Sequence, residues 1–139
     1  MKRILPYILS LTIAVLTLAC THTGGPDGKL YGRWHLIRIE AEGTDASTPT
    51  RNMYWAFQSN MIMMQQERGD HEFNTSYGIF RLDDDTLFLN FPEAKMPPLA
   101  ESKLKRESIL QVLRMTHSEM TLLYNPTPEV TITYYFRKW

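Results

Sequence analysis

Few side chains in this 139-residue chain are of a type that does chemistry, and their spacing excludes most of it. His22, His35, His71 and His117 are scattered, with no H-x-x-x-H pair that would set two imidazoles on one metal ion. Asp70-His71-Glu72 is the densest run of ligand-type residues, and its place between two apolar segments fits a solvated turn. Asp83-Asp84-Asp85 lacks the further oxygen donors of a calcium loop and reads as an acidic hairpin tip. No serine stands in a G-x-S-x-G elbow, no Gly-rich phosphate loop follows a strand, and no pair of carboxylates is marked out as acid and base. The residues therefore point to neither an enzyme nor a holder of a metal or cofactor.

Cys20 is the only cysteine, so an internal disulfide is impossible. It closes the segment MKRILPYILSLTIAVLTLAC, in which Lys2 and Arg3 precede an apolar run from Ile4 to Leu18. That run is shorter than the roughly 20 residues a bilayer-crossing helix needs, and the composition is that of a secretory signal. Thr17-Leu18-Ala19-Cys20 resembles a bacterial lipobox, although Thr17 and Leu18 depart from its commonest residues. The resemblance implies a signal peptide over 1–19 and acyl chains such as palmitate on Cys20. Each buried methylene would contribute about 0.8 kcal/mol to holding the protein on a membrane. Ordinary cleavage after Ala19 would instead leave a free thiol.

The full chain carries 15 basic and 15 acidic residues, and without Lys2 and Arg3 its net charge is −2. Nucleic-acid binding draws most of its affinity from phosphate neutralisation, and this balance gives it no support. Residues 20–29, rich in Gly, Thr and Pro, read as a flexible tether, and a single folded domain is expected over 30–139.

Within that domain, eight short runs rich in aromatic and aliphatic residues are separated by turn residues, which indicates an all-β fold. The last run shows the sidedness best: Val130, Ile132, Tyr134 and Phe136 fall on one face, while Thr131, Thr133, Tyr135 and Arg137 fall on the other. Residues 92–108, with three prolines, read as a long crossing loop with one helical turn over 102–108. An antiparallel up-and-down eight-stranded barrel and a two-sheet sandwich both satisfy the pattern.

Gly32-Arg33-Trp34 at the head of the first strand resembles the G-x-W signature of lipocalins, and Arg137 stands near the end of the last strand, where that family often has an arginine. The chain from about residue 30 onward is similar to the compact lipocalin-like lipoproteins of the Bacteroides type. The resemblance implies a closed eight-stranded lipocalin-like β-barrel, Trp34 plugging one end, and Arg137 stacked across its indole as a cation-π contact. It also implies anchorage in the bacterial cell envelope at the outer membrane, and a small apolar ligand in the barrel. Trp55, Phe57, Met61, Met63, Tyr77, Ile79, Leu89 and Ile132 are the expected lining. Seven methionines follow the signal and could adapt such a cavity to varied ligands or simply fill the core. Two functions follow: a carrier with an open cavity, or a filled barrel that presents an apolar surface, such as Met96-Pro97-Pro98-Leu99, Tyr135 and Trp139, to another envelope protein.

Overall fold

A computed structural model describes residues 28–92 and 101–139. Cys20, the expected signal, residues 20–27 of the tether and Met96-Pro97-Pro98-Leu99 lie outside the described residues. Eight strands follow in order: β1 Gly32–Glu42, β2 Met53–Gln58, β3 Met61–Arg68, β4 Glu72–Asp83, β5 Thr86–Asn90, β6 Glu107–Met115, β7 Glu119–Thr127 and β8 Val130–Lys138. Each pairs antiparallel with the next, and β8 pairs back onto β1 from Trp34↔Lys138 to Glu42↔Thr131. The sheet is therefore a closed up-and-down barrel, and the sandwich alternative is excluded. Closure also removes the free strand edges on which another chain could add.

Hairpin turns set which residues face inward. Ser59 and Asn60 alone join β2 to β3, with Ser59 in the left-handed region at φ 56°. Residues directly opposite in a hairpin share a face, so Phe57↔Ile62 and Trp55↔Met64 point inward together, while Gln58↔Met61 point outward. The next hairpin passes the same parity to β4, where Ile62↔Gly78 and Met64↔Ser76 face the lumen. Its tip is the Asp70-His71-Glu72 run, with both Asp70 and His71 at positive φ and Arg68 paired to Glu72 at 3.9 Å. Asp84, at φ 51°, forms the tip between β4 and β5. Register shifts between Leu36 and Arg38, and between Val112 and Arg114, leave Ile37 and Leu113 exposed. Beyond the first of these bulges Ile39 returns to the core.

The expected helical turn at 102–108 is not formed. Strand β6 begins at Glu107 because Asn90↔Glu107 already pairs, and the Phe91 N–H donates to the Arg106 carbonyl at 2.8 Å. Phe91 then turns into the barrel over Gly78. A Cβ at Gly78 would lie 2.6 Å from the Asn90 carbonyl oxygen and 2.8 Å from the Phe91 ring, so only glycine permits this packing.

The core runs the length of the barrel and is dense in rings. Trp55 lies 4.7 Å from Phe136 and 5.5 Å from Tyr134 between centroids, and Phe57 meets Phe80 edge-on at 5.1 Å. The Tyr134 hydroxyl donates to the Ser102 carbonyl at 2.6 Å, tying β8 to the connection that precedes β6. Burial pushes this hydroxyl well above the ordinary tyrosine value of 10.0, and neighbouring Tyr124 adds to the effect. The folded state therefore keeps a proton that the unfolded chain releases near pH 10, so its stabilisation is complete below that pH and is lost above it. Denaturation midpoints should hold steady to about pH 9 and then fall, with Tyr134 contributing a slope that approaches about 1.4 kcal/mol per pH unit. In Tyr134→Phe, stability at neutral pH should drop by about 1 kcal/mol and the alkaline decline should be shallower. Parallel declines for the two proteins would refute this account.

Candidate functional site

At the end where the chain enters the barrel, Gly32, Trp34 and Lys138 form one unit. The Trp34 ring is wholly buried, and its Nε1–H donates to the Leu30 carbonyl at 2.8 Å, so its single polar atom is satisfied within the turn that precedes β1. Lys138 Nζ lies 4.2 Å from the centre of that ring and donates to the carbonyls of Lys29, at 3.1 Å, and Tyr31. Gly32 sits at φ 115°, and a Cβ there would come within 2.9 Å of Lys138 Cε. Glycine is thus favoured at this position by its positive φ, and the lysine end occupies the space a Cβ would take. Burial lowers the Lys138 pKa, while the indole face and the two carbonyls favour the charged form.

Arg137 does not make the expected contact. It pairs with His35 and is exposed, because odd-numbered residues of β8 face outward while Ile132, Tyr134 and Phe136 face inward. The same alternation carries Lys138 to the inner side, opposite Trp34. On the outer face at this end the Arg33 guanidinium lies 4.1 Å from the Tyr54 ring and 5.6 Å from Phe73. His35 stacks on Tyr54 at 4.9 Å, and Trp139 meets both edge-on, so Tyr54 is buried on the outside of the wall.

Midway along the lumen, Trp55, Met64 and Ser76 lie side by side across β2, β3 and β4. All three are essentially inaccessible to solvent. Among the described residues Trp55 Nε1 and Ser76 Oγ have no hydrogen-bond partner, an arrangement that costs about 1–3 kcal/mol for each buried donor. One row further along β3, the buried Gln66 side chain donates to the Glu101 carboxylate. Tyr124 and Ser108 meet at 3.4 Å and complete a polar rim at the end opposite Trp34. The middle of the barrel therefore combines an apolar surround with two donors that have nothing to bind. Among the described residues no group of three or more His, Cys, Asp or Glu side chains could hold a metal ion.

Of the expected lining, Trp55, Phe57, Leu89 and Ile132 are buried in the core. Met61, Tyr77 and Ile79 are not inside: they are 47%, 58% and 50% exposed on the outer wall, and Met63 lies half-buried on the same side. MIMM offers apolar residues of both parities, so its composition does not choose a face, and the two-residue turn before it does. In β4 Tyr77 and Ile79 face out while Ser76, Gly78 and Phe80 face in, with the small Ser76 and Gly78 where Trp55 and Phe91 already fill the lumen. Sequence reasoning missed Ile62, Met64, Gln66, Ser76 and Lys138, all of which follow from counting parity through the hairpins.

The sequence profile of the lipocalin-like domain family matches residues 14–138, nearly the whole chain. The chain belongs to this family. The lipocalin-like barrel is similar to a lipocalin-like protein from Bacteroides uniformis, with 17% identity and a TM-score of 0.62 over 81% of this chain and 100% of that one. An uncharacterized protein from Bacteroides eggerthii has the same fold, with 17% identity and a TM-score of 0.60 over 78% and 98% of the two chains. Among curated proteins none matches.

In this lipocalin-like barrel the lysine, not the arginine, holds the closed end. Lys138→Ala should lower stability by about 0.5–1 kcal/mol, whereas Arg137→Ala should change it by less than about 0.5 kcal/mol. Urea denaturation followed by tryptophan fluorescence tests the difference, and a larger effect at Arg137 would reverse the assignment.

Proposed function

We propose that this protein is a lipid-anchored, non-catalytic lipocalin-like protein of the bacterial cell envelope, held at the outer membrane through Cys20. It binds a small apolar molecule that carries an acceptor oxygen inside its barrel. The observation that carries the reading is that two buried donors in one row of the lumen, Trp55 Nε1 and Ser76 Oγ on either side of Met64, have no partner among the described residues. A ligand that offers an acceptor oxygen to either donor would remove that donor's cost. The interior of an eight-stranded barrel is just wide enough to be filled by side chains or to hold one small ligand. Met53, Met64 and Met120 are buried in it, and their flexible, polarizable side chains can yield space to a guest.

The anchor is supported by the signal-like composition of residues 1–19 and by the lipobox-like Thr17-Leu18-Ala19-Cys20. The strand order supports the geometry. Lys29 and Leu30 lie at the end plugged by Trp34, so a tether leading to Cys20 would leave the polar rim of Gln66, Ser108 and Tyr124 pointing away from the membrane.

A second reading is a filled-barrel interaction module, favoured by the outer wall of β3 to β6. There Met61, Tyr77, Ile79 and Ile109 stand 47–61% exposed on neighbouring strands.

Ser76→Ala removes one orphaned donor, so the ligand-free protein should gain about 1 kcal/mol of stability while retention of a co-purifying apolar molecule in native mass spectrometry falls. A loss of stability with unchanged ligand content would show that the hydroxyl is already satisfied and would sink the lumenal reading. For the anchor, Cys20→Ala should move the protein from the membrane to the soluble fraction. An unchanged membrane fraction would rule lipidation out.

A further inference from the structure

The outer wall of β4, β5 and β6 is apolar along one diagonal and charged at the ends of the other. Register pairs Ile79 with Asn90 and Asn90 with Glu107 in one row, and Arg81 with Phe88 and Phe88 with Ile109 in the next. Ile79 and Ile109, at opposite corners of this patch, are 50% and 61% exposed. The other two corners are Arg81 and Glu107, roughly 12 Å apart given the usual strand spacing and rise. Arg81 lies 4.3 Å from the Phe88 ring, and among the described residues neither Arg81 nor Glu107 has an ion-pair partner. Between the corners the wall dips into a hollow of about 400 Å³.

We propose that this wall is the contact face between two copies of the chain, related by a two-fold axis that runs along the Ile79–Ile109 diagonal. An isologous contact requires a patch that complements itself. Rotation about this diagonal turns each Arg81 onto the other copy's Glu107, and each Glu107 onto the other's Arg81. It brings Ile79 against its own counterpart and Ile109 against its own, and the hollow takes side chains from the facing copy. Two unpaired opposite charges placed symmetrically about an apolar line suit a second copy better than a partner of uniform charge. Strand addition cannot supply the contact, because the closed barrel has no free edge. This inference rests on the second reading above only in that the outer wall binds a partner, and it holds whether the lumen is filled or takes a ligand.

Residues on a two-fold axis cross-link to themselves, which gives the test. In membranes carrying the whole protein, with Cys20 blocked by its lipid, Ile79→Cys and Ile109→Cys should form disulfide dimers under mild oxidation, and Thr133→Cys on the far wall should not. Adding Arg81→Glu to Ile79→Cys should cut the dimer yield roughly tenfold, and adding Glu107→Arg as well should restore it. Folding of each variant is checked by circular dichroism, since all these positions are on the outer face. Absence of dimers from folded Ile79→Cys, equal cross-linking from Thr133→Cys, or failure of the double charge reversal to restore the yield would each overturn the proposal. Binding of an apolar fluorescent probe that is lost in Ile109→Ser separates the two failures. Probe binding without cross-linking overturns the dimer and leaves an apolar wall for another partner, and loss of both removes the outer-wall reading itself.

Discussion

Pairing of β8 with β1 is the constraint on which the rest of this structure depends. It converts a meander of eight short strands into a barrel, and it is the longest-range pairing the chain makes, running from Trp34↔Lys138 to Glu42↔Thr131. The Gly32, Trp34 and Lys138 unit sits at the end of that seam. Trp34 fills the barrel mouth, Lys138 from the last strand lies over its ring, and Gly32 leaves the space in which the lysine lies. The same lysine ties back to the carbonyls of Lys29 and Tyr31, so the turn before β1 is held to the end of the last strand by one side chain.

Closure also decides what each face of the wall can do. With the strand number set, the interior has a limited volume, and rings from β2 and β8 fill much of it. Where those rings and Phe91 crowd β4, small residues face inward, so Ser76 and Gly78 occupy lumenal positions and Tyr77 and Ile79 are turned to the outside. The orphaned donors inside and the apolar strip outside are two results of one parity. Among the described residues three buried side-chain atoms lack a hydrogen-bond partner: Arg33 Nε on the outer wall, and Trp55 Nε1 and Ser76 Oγ in the lumen, where the Tyr134 and Trp34 polar atoms are satisfied.

Much of the fold could be read directly. Strand number, strand order and the sidedness of β8 followed from apolar runs, turn residues and clean alternation. The site was less legible. MIMM is apolar at every position, so periodicity carried no information about its face, and the two-residue Ser59-Asn60 turn determined it. Family likeness points to Arg137 for the indole, although alternation along β8 places it with Thr133 and Tyr135 on the water side. Extending that alternation two residues past Phe136 reaches Lys138.

By itself, the sequence determined the class of the fold, because local patterns of alternation and turn chemistry act through neighbours along the chain. It also determined the lone Cys20 and the near-neutral charge, which are matters of composition. Only the tertiary structure decided that the sheet closes, which of two adjacent methionines faces the lumen, and that the inward-facing Lys138 meets Trp34. Those outcomes depend on register summed through several hairpins and on contacts between residues more than a hundred positions apart, and no local pattern carries either.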